Sequence, residues 1–187
     1  MKTIIKIIAL LLLTQTAIAQ KKSIRAEQLF ITNKVTGKSF KIGTSVNTLK
    51  NFGTLIKVDT LDLTVESDDY YIKHTFNNII IFESVQGKIS SFETQSSEIA
   101  IERKGMFSFS PGDHINKIAA IFPEEVNSAE IIPSHGIERT PYLTVWIQLL
   151  AHDKTSNQYV TNYYEGVGLL FDPETKILKE IYYWIRP

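Results

Sequence analysis

Not one of the 187 residues is a cysteine. Any fold of this chain is therefore held by packing, without a disulfide framework, and thiolate zinc sites, a cysteine nucleophile and lipid attachment at an N-terminal cysteine are excluded. Net charge is missing as well, since 20 basic residues balance 20 acidic ones. No electrostatic footprint points to nucleic acid or to an anionic membrane surface. The patterns G-x-S-x-G, G-x-G-x-x-G and the Walker loop do not occur, so the chain spells out neither a nucleophile elbow nor a phosphate cradle. Beyond residue 19 no run is apolar enough to span a membrane, and no membrane anchor is expected.

What is there begins with Lys2 and Lys6, the apolar run Ile7 to Leu13, and the small residues Ala17-Ile18-Ala19 before Gln20. That order is the pattern of a cleavable secretory signal peptide over residues 1–19, and the run is too short for a spanning helix. The expected product is secreted or periplasmic after cleavage, carries a formal charge of minus two, and is long enough to bury a core unaided.

Strand signals dominate that body. Gln28 to Thr32 and Ser39 to Ile42 flank a turn at Asn33 to Lys38, and Leu61 to Val65 and Tyr70 to Phe76 flank Ser67-Asp68-Asp69. Short β-branched or alternating runs broken by turn residues read as antiparallel hairpins. Two stretches, Thr44 to Phe52 and Asp113 to Phe122, read as helices, each after a glycine and each opening with a side chain able to cap the first turn. Val46, Leu49 and Phe52, and Ile115, Ile118 and Ile121, are expected to face a sheet.

Those two stretches also expose an internal repeat. Phe40 to Leu49 aligns without gaps on Phe109 to Ile118, matching Phe, Gly and Asn in identity. Upstream, the hairpin from Glu27 to Ile42 corresponds to Glu98 to Ser110; downstream, Ile80 to Glu83 with Ile89 to Phe92 corresponds to Leu169 to Asp172 with Leu178 to Ile181. The second copy is about twenty residues longer, with the excess placed in Val126 to Tyr142 and in a longer central hairpin. The expected fold class is α+β, as two tandem modules over residues 24–95 and 96–187, each a short helix packed on an antiparallel β-sheet.

The turn and helix Gly43-Thr44-Ser45-Val46-Asn47-Thr48-Leu49, of the form G-x-S-x-x-x-L, precedes a sheet whose last hairpin has an inner Phe and a closing Lys-Ile. This arrangement resembles the β-lactamase-inhibitor-protein-like modules. The resemblance implies a helix layer on a curved antiparallel sheet across most of the mature chain. Disulfides or a lipidated cysteine found in that family have no counterpart here, so it carries architecture and no partner or activity.

The search for chemistry yields little. His74, His114, His135 and His152 show no metal-ligand spacing, so neither a metal nor a cofactor is expected. Ser45 is read as a helix cap, Gly166-Val167-Gly168 as a bulge or close approach inside a strand, and Glu66/Asp68/Asp69 and Glu124/Glu125 as solvated turn or helix-end acids. No catalytic residue is assigned. Aromatics, by contrast, crowd the C-terminal half. Along Val145 to Leu149 and Ile181 to Ile185 the side chains alternate, so Val145, Ile147, Leu149, Ile181, Tyr183 and Ile185 should face the core. Trp146, Gln148, Tyr182 and Trp184 are left on the opposite face as the candidate binding surface for a protein or small ligand, unless the Pro133 to Pro141 segment covers it. An exported binding or inhibitory protein is the expected function. The alternative is an exported hydrolase that assembles its catalytic residues from distant positions.

Overall fold

The computed structural model describes residues 24–62, 70–133, 141–153, 156 and 158–185. The signal-peptide stretch, the turn at Ser67-Asp68-Asp69 and His135 lie outside them, as does most of Pro133 to Pro141. The first half contributes β1 (Phe30–Asn33), β2 (Lys38–Phe40), β3 (Leu55–Asp62), β4 (Tyr70–Phe76), β5 (Ile80–Glu83) and β6 (Ile89–Thr94). The second contributes β7 (Ile99–Arg103), β8 (Phe107–Phe109), β9 (Glu130–Pro133), β10 (Pro141–Asp153), β11 (Gln158–Phe171) and β12 (Leu178–Ile185). Two short α-helices, α1 (Ile115–Ala119) and α2 (Pro123–Asn127), follow β8.

The expected pair of helix-on-sheet modules does not form. Among the described residues strands take 54% and helical residues 13%, so the fold is mostly β. Both halves are woven into the same two antiparallel sheets, a four-stranded one in the order β2-β1-β7-β8 and an eight-stranded one in the order β3-β4-β5-β6-β12-β11-β10-β9. The helices are too short to make a layer. In the first half a four-residue 3-10 turn, Val46–Leu49, replaces the expected helix and gives way to Asn51 at a positive φ of 63°. In the second, Phe122 precedes Pro123, which pushes the residue before it out of helical geometry. Ser45 Oγ accepts from the Asn47 N–H at 3.3 Å and His114 Nδ1 from the Asn116 N–H at 3.2 Å, so the caps sit one residue later than Thr44 and Asp113.

Both strand orders read the same from either end once the halves are matched. Gly43 donates its N–H to the Ile89 carbonyl and Gly112 to the Leu178 carbonyl, each at 2.8 Å. Both glycines take positive φ, 79° and 98°, a region that costs other L-residues about 1–2 kcal/mol. From this corner Ile89 corresponds to Leu178 and Phe92 to Ile181, and pairing across the hairpins makes Ile81 correspond to Leu169 and Glu83 to Phe171. The β5 and β11 alignment expected from the sequence, Phe82 on Phe171, is thus shifted by one residue, because the second turn is one residue longer. Both hairpins carry their irregularity at this matched place, between Phe82 and Glu83 and between Leu170 and Phe171. The halves meet where Ile31 pairs with Ile101 in the small sheet and Glu93 with Tyr182 in the large one.

A single core lies between the sheets. Ile31 and Ile101 from the small sheet, Phe52, Ile118 and Phe122 from the connections, and Ile81, Phe92, Val145, Leu169 and Ile181 from the large sheet are all buried in it. Phe40 meets Phe52 edge-on at 5.0 Å and Phe92 at 6.3 Å, tying β2 to β6. Leu49 and Phe52 are buried as the helical spacing implied, and so are Ile115 and Ile118, whereas Val46 and Ile121 pack at the margin. Among the described residues no helix is long and apolar enough to cross a membrane.

Candidate functional site

Alternation along β10, β11 and β12 decides what each face of the large sheet carries. Val145, Ile147 and Leu149, Val167 and Leu169, and Ile181 and Tyr183 are buried against the core. Residues of the other parity, Tyr142, Thr144, Trp146 and Gln148 on β10, Gly166 and Gly168 on β11, and Glu180 and Tyr182 on β12, fall on the open face. Across the strands, Trp146 pairs with Gly168 and Gly168 with Tyr182, and the row runs on into Glu93 and Ile80.

Two glycines at a spacing of two leave a groove without side chains on that face, and the rings fill it. A Cβ on Gly168 would stand 2.1 Å from Tyr182 Cζ, and one on Gly166 would stand 2.6 Å from Trp146 Cε2. Tyr182 therefore lies flat over its cross-strand glycine, while Trp146 leans over the diagonal one. Their centroids are 6.0 Å apart with the planes at 43°. Both residues are half-buried and Gln148 beside them is exposed. Rings seated this way lose little freedom on binding, because the sheet has already fixed them.

Polar groups border the platform. Gln95 Nε2 donates to Glu180 Oε2 at 2.9 Å, and Glu93 sits directly across from Tyr182. Burial pushes the Glu93 carboxyl above the usual carboxylate range, the Glu180 charge adds to the rise, and Lys73 opposes it. Past Gln95 the face ends in a shallow cleft of about 320 Å³ lined by Gln95, Pro141, Tyr142, Asp172, Pro173 and Lys179. Asp172 is held below the usual range because it accepts from the Thr175 and Glu174 N–H groups, which closes its own turn. On the core side, the Tyr183 hydroxyl donates to Glu165, and burial with that carboxylate raises its pKa far out of the physiological range.

Of the four residues expected to form the surface, the structure brings Trp146, Gln148 and Tyr182 together on one face. Trp184 pairs through its backbone with Gly166, and its side chain lies outside the described residues. Sequence reasoning missed Glu180, two residues from Tyr182 on β12, and Glu93 and Gln95, which reach this face only through pairing of β6 with β12. The reading of Gly166-Val167-Gly168 as a bulge or close approach holds, since ring atoms stand where their Cβ atoms would be and the β10–β11 register shifts beside Gly166, but it did not say which rings take the seat. His74 belongs elsewhere, on the core side of β4, where its Nε2 is 2.7 Å from Glu83 Oε2. His114 is exposed, and no group of three or more His, Asp or Glu among the described residues could hold a metal ion. No protein family, curated protein or solved structure matches this chain.

Proposed function

We propose that the chain is an exported, non-catalytic binding protein that grips a protein or small-ligand partner on the open face of the eight-stranded sheet, centred on Trp146, Tyr182 and Gln148. The observation that carries this reading is the seating of Trp146 and Tyr182 over Gly166 and Gly168. A strand that gives up side chains at two positions of a central sheet forgoes packing, and the gain is a flat aromatic surface at fixed height. Large rings with a polar edge supply most of the energy at recognition surfaces.

We further infer that the two halves descend from one repeated unit. The palindromic strand orders and the matched Gly43 and Gly112 corners support it.

Capture of partners from the native extracytoplasmic fraction by the mature protein, with Trp146→Ala as the comparison, tests the function. The variant should weaken a specifically captured partner by about 2 kcal/mol, as truncation of a central ring does, with circular dichroism unchanged. Equal capture by both proteins would remove this face from consideration.

A further inference from the structure

The eight-stranded sheet ends differently on its two sides. At one edge β9 is four residues long and carries Glu130 and Pro133, features that discourage pairing with another strand. At the other edge β3 runs for eight residues without proline and exposes Leu55 by 49%, Ile56 by 66% and Val58 by 50%. Among the described residues β3 pairs with β4 alone. A long, apolar, unpaired edge is a template for one more strand.

The charges on β3 specify which strand. Lys57 and Asp59 share a face two residues apart, with Lys57 Nζ 2.7 Å from Asp59 Oδ1, and Val58 lies between them on the opposite face. We propose that β3 pairs antiparallel with β3 of a second copy of this chain, about a two-fold axis at Val58. In that register each Lys57 stands across from the other copy's Asp59, so two opposite-charge pairs form at once. The two Val58 side chains cover each other on the opposite face. Shifting the axis by one residue either way sets Lys57 against Lys57 or Asp59 against Asp59, and like charges directly opposite are unfavourable. The strand is thus self-complementary in a single register, as a two-fold interface requires. The irregularity at Ile56, between the Leu55 and Lys57 pairings with β4, lies outside the central three residues. This interface is independent of the aromatic face.

Sedimentation equilibrium on the mature chain should show a dimer. Lys57→Glu and Asp59→Lys should each weaken it about tenfold or more, since two attractive pairs become two repulsive ones, and the double variant should restore it. The absence of cysteine supplies a second, geometric test. Val58→Cys should form an intermolecular disulfide readily on oxidation and Lys57→Cys should not, because only position 58 faces its own copy within disulfide reach. A chain that stays monomeric at every concentration measured would overturn the proposal and leave the edge to a strand of another polypeptide. A dimer indifferent to the single charge reversals, or one in which Lys57→Cys cross-links as fast as Val58→Cys, would overturn it equally.

Discussion

At the centre of the large sheet the two halves of the molecule hold the same kinds of residue on the core side and different ones on the open side, while further out on the core side His74 and Glu83 stand where the second half has Val145 and Phe171. Ile81 and Leu169 stand at matched positions and are both fully buried, as are Phe92 and Ile181. One step along the same strands, Ile80 of the first half corresponds to Gly168 of the second. Their cross-strand partners are Thr75 and Trp146 on one side and Glu93 and Tyr182 on the other. Packing explains the agreement, because a shared core admits little change of volume. It does not explain the divergence, since a solvated face would accept the first half's residues in both places. The proposed binding role of this face would account for the difference between the halves.

The largest losses are expected in the core. Ile81→Ala and Leu169→Ala should each cost about 2–5 kcal/mol. Because the halves share both sheets, urea denaturation followed by fluorescence and by circular dichroism should show one coincident transition; two separable transitions would mean that the halves fold apart. Next in size is Gly168→Val, whose side chain cannot coexist with Tyr182 in its seat. A loss of about 1–3 kcal/mol and a changed near-ultraviolet aromatic signal are expected, whereas Ile80→Val at the matched position should cost less than about 1 kcal/mol. At the corners, Gly43→Ala and Gly112→Ala should lose similar amounts, about 1–2 kcal/mol each, because both force a side chain to positive φ. Thermal melts showing one variant unaffected would separate the corners.

The smallest effect expected concerns Glu93. Its raised pKa means that the folded state holds the proton more tightly than the unfolded chain does. The stability this contributes is present below the usual value of 4.5 and is lost as pH rises through the folded value. At neutral pH the ionised carboxylate thus stands against burial and the Glu180 charge, with Lys73 in partial compensation. Glu93→Gln should raise the melting temperature slightly at pH 7 and leave it unchanged below pH 4.5, with the gain kept small by solvent screening. A variant less stable at pH 7 would contradict the stated cause.

Much of this arrangement was written locally. Hairpin positions and the in-and-out alternation of Val145 to Leu149 and Ile181 to Tyr183 follow from period-two patterning, and the glycine corners from turn chemistry. The sheet pairing was not legible. Nothing in a strand says whether it closes on its own half or on the other, and here β1 takes β7 and β6 takes β12. That long-range choice turned two expected modules into two shared sheets. It also brought Glu93 beside Tyr182, a juxtaposition invisible along the chain. The helices were over-read for a related reason. Their apolar spacing reflects burial beneath the small sheet, which short turns at Val46–Leu49 and Ile115–Ala119 satisfy as well as long helices would.

Matched truncations on the open face decide whether Trp146 grips a partner. Thr75→Ala and Trp146→Ala alter corresponding positions of the two halves, and the affinity of each variant for the captured partner can be measured by calorimetry. A loss of about 2 kcal/mol, near thirtyfold in Kd, is expected for Trp146→Ala and no measurable loss for Thr75→Ala. Equal losses, or none at Trp146, would contradict the proposed grip.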